Sequence, residues 1–169
     1  MAQHAPGAVG VPRRVRLSAV ADTQAWGARL GAVLRAGDLV VLTGGLGAGK
    51  TCLTQGIGVG LGVRGPITSP TFVIARVHPS LVGGPDLVHV DAYRLGGFAE
   101  LEDLDLDTSL EEAVTVVEWG HGVAEQLSEA YLEVSMRGYD SRTVDLVGHG
   151  ERWMAPAAGA ALDDLVSLS

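Results

Sequence analysis

Cysteine and aromatic residues are scarce in this chain of 169 residues. It has one cysteine, Cys52, and aromatic side chains make up 5% of it. A single cysteine excludes an intrachain disulfide and any metal site built from several cysteines. No apolar run approaches the roughly 20 residues that a membrane span needs, and no leader-like pattern opens the sequence. We therefore expect a cytoplasmic protein with no membrane partner.

Positive charge is also scarce. The chain carries 12 basic and 20 acidic residues, which gives a formal net charge of -8. This balance disfavours direct binding of nucleic acid, because phosphate contacts need clustered cations. Any link to RNA is expected to be indirect. Lys50 is the only lysine, and all other basic residues are arginines.

The apolar content and the turn residues predict the secondary structure. Apolar residues make up 47% of the chain, which is enough for a core without disulfides. Short aliphatic runs bounded by turn residues predict strands, and apolar periodicity with stop signals predicts helices. The predicted strands are 14–18, 38–43, 72–77, 87–91, 114–118, 131–137 and 142–147. The predicted helices are 22–35, capped by Asp22 or Thr23, and 50–61, with one or two short helices within 101–113.

This order of elements indicates a small α/β domain of three layers with a mixed, partly parallel central sheet. Segments 72–77 and 87–91 are expected to pair as a hairpin, as are 131–137 and 142–147. We expect one domain over residues 14–153. Residues 1–13 are expected to form a flexible tail, and residues 154–169 a flexible or loosely packed one.

A glycine-rich loop between a predicted strand and a predicted helix carries the clearest chemical signal. It matches the pattern G-x-x-x-x-G-K-[ST], in which backbone N–H groups surround a phosphate and the lysine reaches the β- and γ-phosphates. The helix N-terminus adds a positive dipole end, and the final hydroxyl can ligate Mg2+. A plain glycine-rich turn is the structural alternative. The residues of the loop are Gly44, Gly45, Leu46, Gly47, Ala48, Gly49, Lys50 and Thr51.

Two acids complete the candidate site. Asp91 and Glu118 each end a predicted buried strand, and such strand ends open onto the ligand crevice of α/β sheets. Either carboxylate can hold Mg2+ or orient a water for attack on a γ-phosphate. Arg94 is the only base among the ten carboxylates between Asp86 and Glu118, and it is a candidate for offsetting charge on the phosphate. The structural alternatives are a helix cap or turn acid for Asp91, a partner to a nearby arginine for Glu118, and a surface partner of neighbouring acids for Arg94.

Four motifs in one order resemble the TsaE family. They are LTGGLGAGKT at 42–51, SPTF at 69–72, HVDAYRL at 89–95 and VVEWG at 116–120. The family consists of bacterial P-loop ATPases that take part in making the threonylcarbamoyladenosine modification of tRNA. The resemblance covers about residues 17–153 and implies binding of ATP and Mg2+, slow hydrolysis, and action with the partner proteins TsaB and TsaD.

The resemblance also implies roles for individual residues. Residues 46–51 would contact the nucleotide phosphates, Thr51 and Glu118 would bind magnesium, and Asp91 would be needed for hydrolysis. Val20 matches a position that lines the nucleotide pocket, and Ser69 to Thr71 matches a mobile switch loop. The sequence departs from the family at Cys52, where many members have a second threonine, and at Ala92, where a larger residue is usual.

Two other functions remain open from the residues. A small-molecule kinase would use the same loop, but it would need an acceptor pocket, and the segment after Asp91 is acidic where a basic lid is usual. A GTP-controlled switch would use the loop as well, although the sequence has no N-K-x-D pattern to read guanine.

Overall fold

The computed structural model describes residues 8–45, 47, 49–67, 75–91, 110–118, 128–138 and 140–167. Within these ranges seven strands and four helices are found. The strands are β1 (Arg13–Leu17), β2 (Leu39–Gly44), β3 (Ala75–His78), β4 (Leu87–Asp91), β5 (Val114–Glu118), β6 (Tyr131–Arg137) and β7 (Arg142–His149). The helices are α1 (Val20–Val33), α2 (Lys50–Leu61), α3 (Glu151–Met154) and α4 (Pro156–Val166).

All seven strands form one mixed sheet in the order β1-β7-β6-β2-β5-β4-β3. Strand β2 is parallel to both β5 and β6, and β4 is parallel to β5. The outer pairs β1–β7, β6–β7 and β3–β4 are antiparallel. The predicted α/β fold with a partly parallel sheet and two hairpins is therefore confirmed.

Alternation along β2 divides the core between the two faces of the sheet. Val40 and Leu42 belong to the larger cluster, which the helices cover with Trp26, Leu53, Ile57 and Leu162, among others. Leu39 and Val41 belong to a smaller cluster with Val88, Val90 and Val117 from β4 and β5. Because β2 is buried on both faces, its continuous aliphatic run is that of a central parallel strand.

Helices α1 and α2 pack backbone to backbone through glycines. A Cβ placed on Gly56 would lie 2.3 Å from the carbonyl oxygen of Gln24, and one on Gly27 would lie 2.6 Å from that of Leu53. Neither distance leaves room for a methyl group. The glycines thus set how closely α2, which begins at the phosphate loop, approaches α1.

The predicted cap of α1 is wrong. The helix begins at Val20 with Ala19 as its N-cap, and the Asp22 carboxylate accepts a hydrogen bond from the Ala19 N–H at 3.0 Å. Asp22 therefore satisfies the helix start from inside the first turn, as the acidic member of a capping box does.

The terminal segments also differ from expectation. Within 154–169, predicted to be flexible or loosely packed, α4 buries Ala158, Leu162 and Leu165 against the larger cluster. Their spacing of four and three residues is that of a helix face, and it lies within an alanine-rich run that favours helix. At the other end, within the predicted tail 1–13, the Gly10 N–H donates to Gly148 O at 2.8 Å. Val9 forms an isolated antiparallel β-bridge with His149.

Two parts of the secondary-structure prediction lie outside the described residues. They are residues 72–74 of the predicted strand 72–77, and most of the acidic segment 101–113. Among the helices that the structure describes, none has the length and apolar content needed to cross a bilayer.

Candidate active site

The phosphate loop leaves the carboxyl end of β2 and enters α2. Gly44 is the last residue of β2, and Gly49 is the N-cap of α2. Gly47 and Gly49 have φ values of 77° and 98°, in the left-handed region that glycine adopts without strain. Among the residues that the structure describes, no atom lies within 4 Å of a Cβ placed on Gly45 or Gly47. Leu46 and Ala48 lie outside the described residues.

Lys50 places its ammonium over this loop. Its Nζ donates to Gly44 O at 2.7 Å and to Gly45 O at 3.0 Å, and the residue is 8% exposed. Burial lowers the pKa of Lys50, while the nearby carboxylates of Glu118 and Asp91 oppose that shift. The only lysine of the chain therefore lies within the electrostatic reach of both predicted acids.

Helix α2 supplies further donors beside Lys50. At the start of this helix, the Leu53 N–H donates a hydrogen bond to Gly49 O at 3.0 Å. The N–H groups of the preceding turn lack intrahelical acceptors and carry the positive end of the helix dipole. Thr51 lies in this first turn and is partly buried. The arrangement suits a bound anion.

Asp91 and Glu118 lie side by side at the same edge of the sheet. They are register partners at the ends of the parallel strands β4 and β5, and Glu118 also pairs with Leu42 of β2. Glu118 is 4% exposed. Each acid was predicted to end a buried strand, and the structure places these two strand ends side by side next to the phosphate loop.

His89 is a contact of Glu118 that the sequence patterns did not predict. Its Nε2 lies 3.1 Å from Glu118 Oε2, and its side chain is 0% exposed. His89 precedes Asp91 by two residues on β4, so the two share a face of the sheet. That spacing is the signal by which His89 could have been placed at the site.

A cavity of about 180 Å3 opens beside the start of α2. It is lined by Val20, Thr23 and Ala19 from the α1 start, Gly49 and Cys52 from α2, and Asp140 and Arg142 from the β6–β7 hairpin. The structure thus places Val20 next to the phosphate loop. Asp140 and Arg142 were not predicted, because only the pairing of β6 beside β2 brings their hairpin to the loop.

Thr51, Asp91 and Glu118 offer the hard oxygen ligands that Mg2+ prefers. No cluster of three or more histidine, cysteine or acidic side chains able to hold a metal alone is found in the described part of the chain. Mg2+ in nucleotide sites takes few protein ligands and keeps water and phosphate oxygens. The residues therefore fit a nucleotide-bound Mg2+ better than a metal caged by protein.

Two of the predicted functional segments, Ser69 to Thr71 and Arg94, lie outside the described residues, as does Ala92.

Comparison with protein families gives a match over residues 17–144 to the model described as "Threonylcarbamoyl adenosine biosynthesis protein TsaE". The match begins at the last residue of β1 and includes the phosphate loop, both acids and the start of β7. It therefore spans all of the candidate site residues.

Similar curated proteins carry the name tRNA threonylcarbamoyladenosine biosynthesis protein TsaE. One from Streptomyces coelicolor is 62% identical over 134 residues, which is 75% of this chain and 90% of the relative. One from Mycobacterium tuberculosis is 56% identical over 71% of this chain and 76% of the relative. One from Bacillus subtilis is 36% identical over 78% of this chain and 83% of the relative.

A solved structure has the same fold. The crystal structure of Bacillus subtilis YdiB matches with a TM-score of 0.71 and 28% sequence identity. The match covers 92% of this chain and 94% of YdiB.

Proposed function

Because this chain belongs to the TsaE family, we propose that it is an ATPase of tRNA N6-threonylcarbamoyladenosine biosynthesis that acts with TsaB and TsaD. It binds ATP with Mg2+ at the phosphate loop and hydrolyses it slowly to ADP and phosphate. The observation that carries this proposal is the convergence of Lys50, Asp91 and Glu118 on one loop.

The loop supports binding of a triphosphate. The ammonium of Lys50 donates hydrogen bonds to the carbonyl oxygens of Gly44 and Gly45. It can exchange these neutral acceptors for charged phosphate oxygens, which form stronger hydrogen bonds. The unpaired amides at the start of α2 add further donors and the positive end of the helix dipole. Gly44 to Thr51 therefore form the phosphate subsite of the proposed enzyme.

The two acids support hydrolysis. Thr51 and Glu118 would hold Mg2+, with Asp91 beside them as a further ligand or as the group that orients the attacking water. Mg2+ would neutralise charge that develops on the phosphate oxygens. The protein's part in such a reaction is positioning and electrostatics, because the chemistry needs little covalent assistance.

The cavity beside Gly49 supports a place for the rest of the nucleotide. Val20 and Cys52 contribute to its wall, and Arg142 closes it from the β6–β7 hairpin. The cavity adjoins the phosphate loop, so ribose or base can enter it while the phosphates remain on α2.

The charge of the chain supports an indirect relation to tRNA. A net charge of -8 repels a polyanion, so the partners TsaB and TsaD are proposed to carry the tRNA contacts. ATP turnover in this chain would then drive a conformational step of the complex.

The test is phosphate release by the purified chain with and without TsaB and TsaD. We expect turnover that the partners stimulate, and we expect Asp91→Asn and Glu118→Gln each to lower kcat by about 100-fold or more, because electrostatic groups of this kind contribute about 10²–10³ in rate. Asp163→Asn is the matched control, since it changes an exposed acid of α4 whose side chain is 68% exposed.

Parent-like turnover by both site variants would contradict the proposed roles. Transfer of the γ-phosphate to a small-molecule acceptor in place of water would favour the kinase interpretation. Equal or tighter use of GTP would favour a guanine-nucleotide switch.

A further inference from the structure

A buried histidine lies behind the proposed magnesium ligand. His89 is on β4 between Leu87 and Asp91, and Leu87 belongs to the larger core cluster that α1 and α2 cover. The register partner of His89 on β5 is Val116, two residues before Glu118. The imidazole therefore reaches Glu118 diagonally, with 3.1 Å between Nε2 and Oε2.

The surroundings of His89 are otherwise those of a hydrophobic core. Leu87 and Val116 on the same face are both 0% exposed. Within the described part of the chain, neither ring nitrogen of His89 has an aligned hydrogen bond, and the close approach to Glu118 is its polar contact. Burying an imidazole without aligned partners costs free energy, so a leucine here would pack with less penalty.

Glu118 has two nitrogen groups near it. Its carboxylate approaches His89 Nε2 at 3.1 Å, and its charge acts on the ammonium of Lys50. A carboxylate side chain can rotate, and a contact on one oxygen restricts that rotation. Partners that fix the orientation of a metal-ligating carboxylate commonly raise metal affinity by about 10- to 100-fold.

We propose that His89 is a positioning residue that holds the Glu118 carboxylate beside Lys50, in the orientation needed for the Mg2+ of bound nucleotide. In the tautomer with its proton on Nε2, the imidazole would present that N–H to the Glu118 carboxylate and limit its rotation. This inference rests on the proposed function and adds a residue to its site. His89 touches neither nucleotide nor water in this role.

The test measures the affinity of each protein for a fluorescent ATP analogue as a function of Mg2+ concentration. The thermal unfolding midpoint of each protein is measured as well. In EDTA, we expect His89→Leu to bind the analogue with the affinity of the parent. We expect it to need about 10- to 100-fold more Mg2+ for the same increase in affinity. Its thermal midpoint should equal or exceed that of the parent. His89→Gln should recover part of the Mg2+ response, because its amide nitrogen reaches about as far as Nε2.

The matched control is His78→Leu. His78 is also buried in the sheet, and its Nε2 has no hydrogen-bond partner among the described residues. It lies on β3, where its register partner is Leu87 of β4. We expect its Mg2+ requirement to match the parent's.

Three outcomes would overturn the inference. One is a parent-like Mg2+ requirement in both His89 variants, and another is an equal increase in His78→Leu, which would indicate general loosening of the sheet. The third is analogue binding by the parent that does not respond to Mg2+, which would also remove Mg2+ from the proposed function. The first two leave the proposed function intact.

Discussion

At the scale of single residues, the site depends on where three charged groups lie relative to one loop. Lys50 bonds to the loop carbonyls, and its pKa reflects both its burial and the two acids. The sequence predicted all three residues, because a motif names the lysine and strand ends name the acids. It did not indicate Arg142, which lies near Gly49 only through the tertiary fold: a Cβ on Gly49 would be 3.3 Å from its Nε.

Cys52 gives a direct reporter for the cavity. It is the only cysteine, it is partly buried, and it lines the cavity with Val20 and Gly49. We expect saturating Mg2+ and ATP to slow its reaction with a thiol reagent by about tenfold at ten times the dissociation constant, because only the nucleotide-free fraction would react.

This rate is measured by absorbance, from the coloured thiol that a disulfide reagent releases when it reacts with Cys52. Cys52→Ser provides the blank, and denatured protein provides the full count of one thiol. A labelling rate that ATP leaves unchanged would place the nucleotide outside this cavity.

At the scale of elements, the sequence predicts strands and helices well where local pattern decides them. The helix at 50–61 agrees with α2, and the strand at 114–118 agrees with β5. Helix α4 was missed because alanine, its commonest residue, gives a weak contrast between apolar and polar faces, although Ala158, Leu162 and Leu165 form an apolar stripe. The position of α2 against α1 depends on contacts between distant segments, which composition does not reveal.

Gly56→Ala tests that helix contact. We expect it to lower the free energy of unfolding by about 1–3 kcal/mol, the usual size of an overpacking effect. The new methyl group would meet the Gln24 carbonyl oxygen at 2.3 Å. Intrinsic helix propensity acts in the opposite direction by about 1 kcal/mol, so a net loss shows that the steric term is larger.

Gly159→Ala in α4 is the control for propensity alone. Among the described residues, the nearest neighbour of a Cβ there would be Arg13 Nη2, at an ordinary contact distance of 3.8 Å. We expect this variant to be as stable as the parent or more so, by up to about 1 kcal/mol. Urea unfolding curves measure both variants, and a stabilised Gly56→Ala would refute the close packing of α1 and α2.

At the scale of the whole molecule, the sheet order brings the site together. Strands β2, β5 and β4 are neighbours and parallel, so the loop after β2 and the acids ending β5 and β4 share one edge. The sequence predicted buried strands, but it could not order them. Pairs such as Val40 with Leu132 are 92 residues apart, and local periodicity carries no information about them.

The most direct test of the central claim is a calorimetric titration of the parent and of Lys50→Ala with a non-hydrolysable ATP analogue in Mg2+. We predict one saturable site in the parent and an affinity about 10- to 100-fold lower in the variant, the equivalent of the roughly 1.5–3 kcal/mol that hydrogen bonds to charged groups contribute. Equal affinities in the two folded proteins, or no saturation of the parent at millimolar analogue, would contradict a triphosphate held by this loop and its lysine.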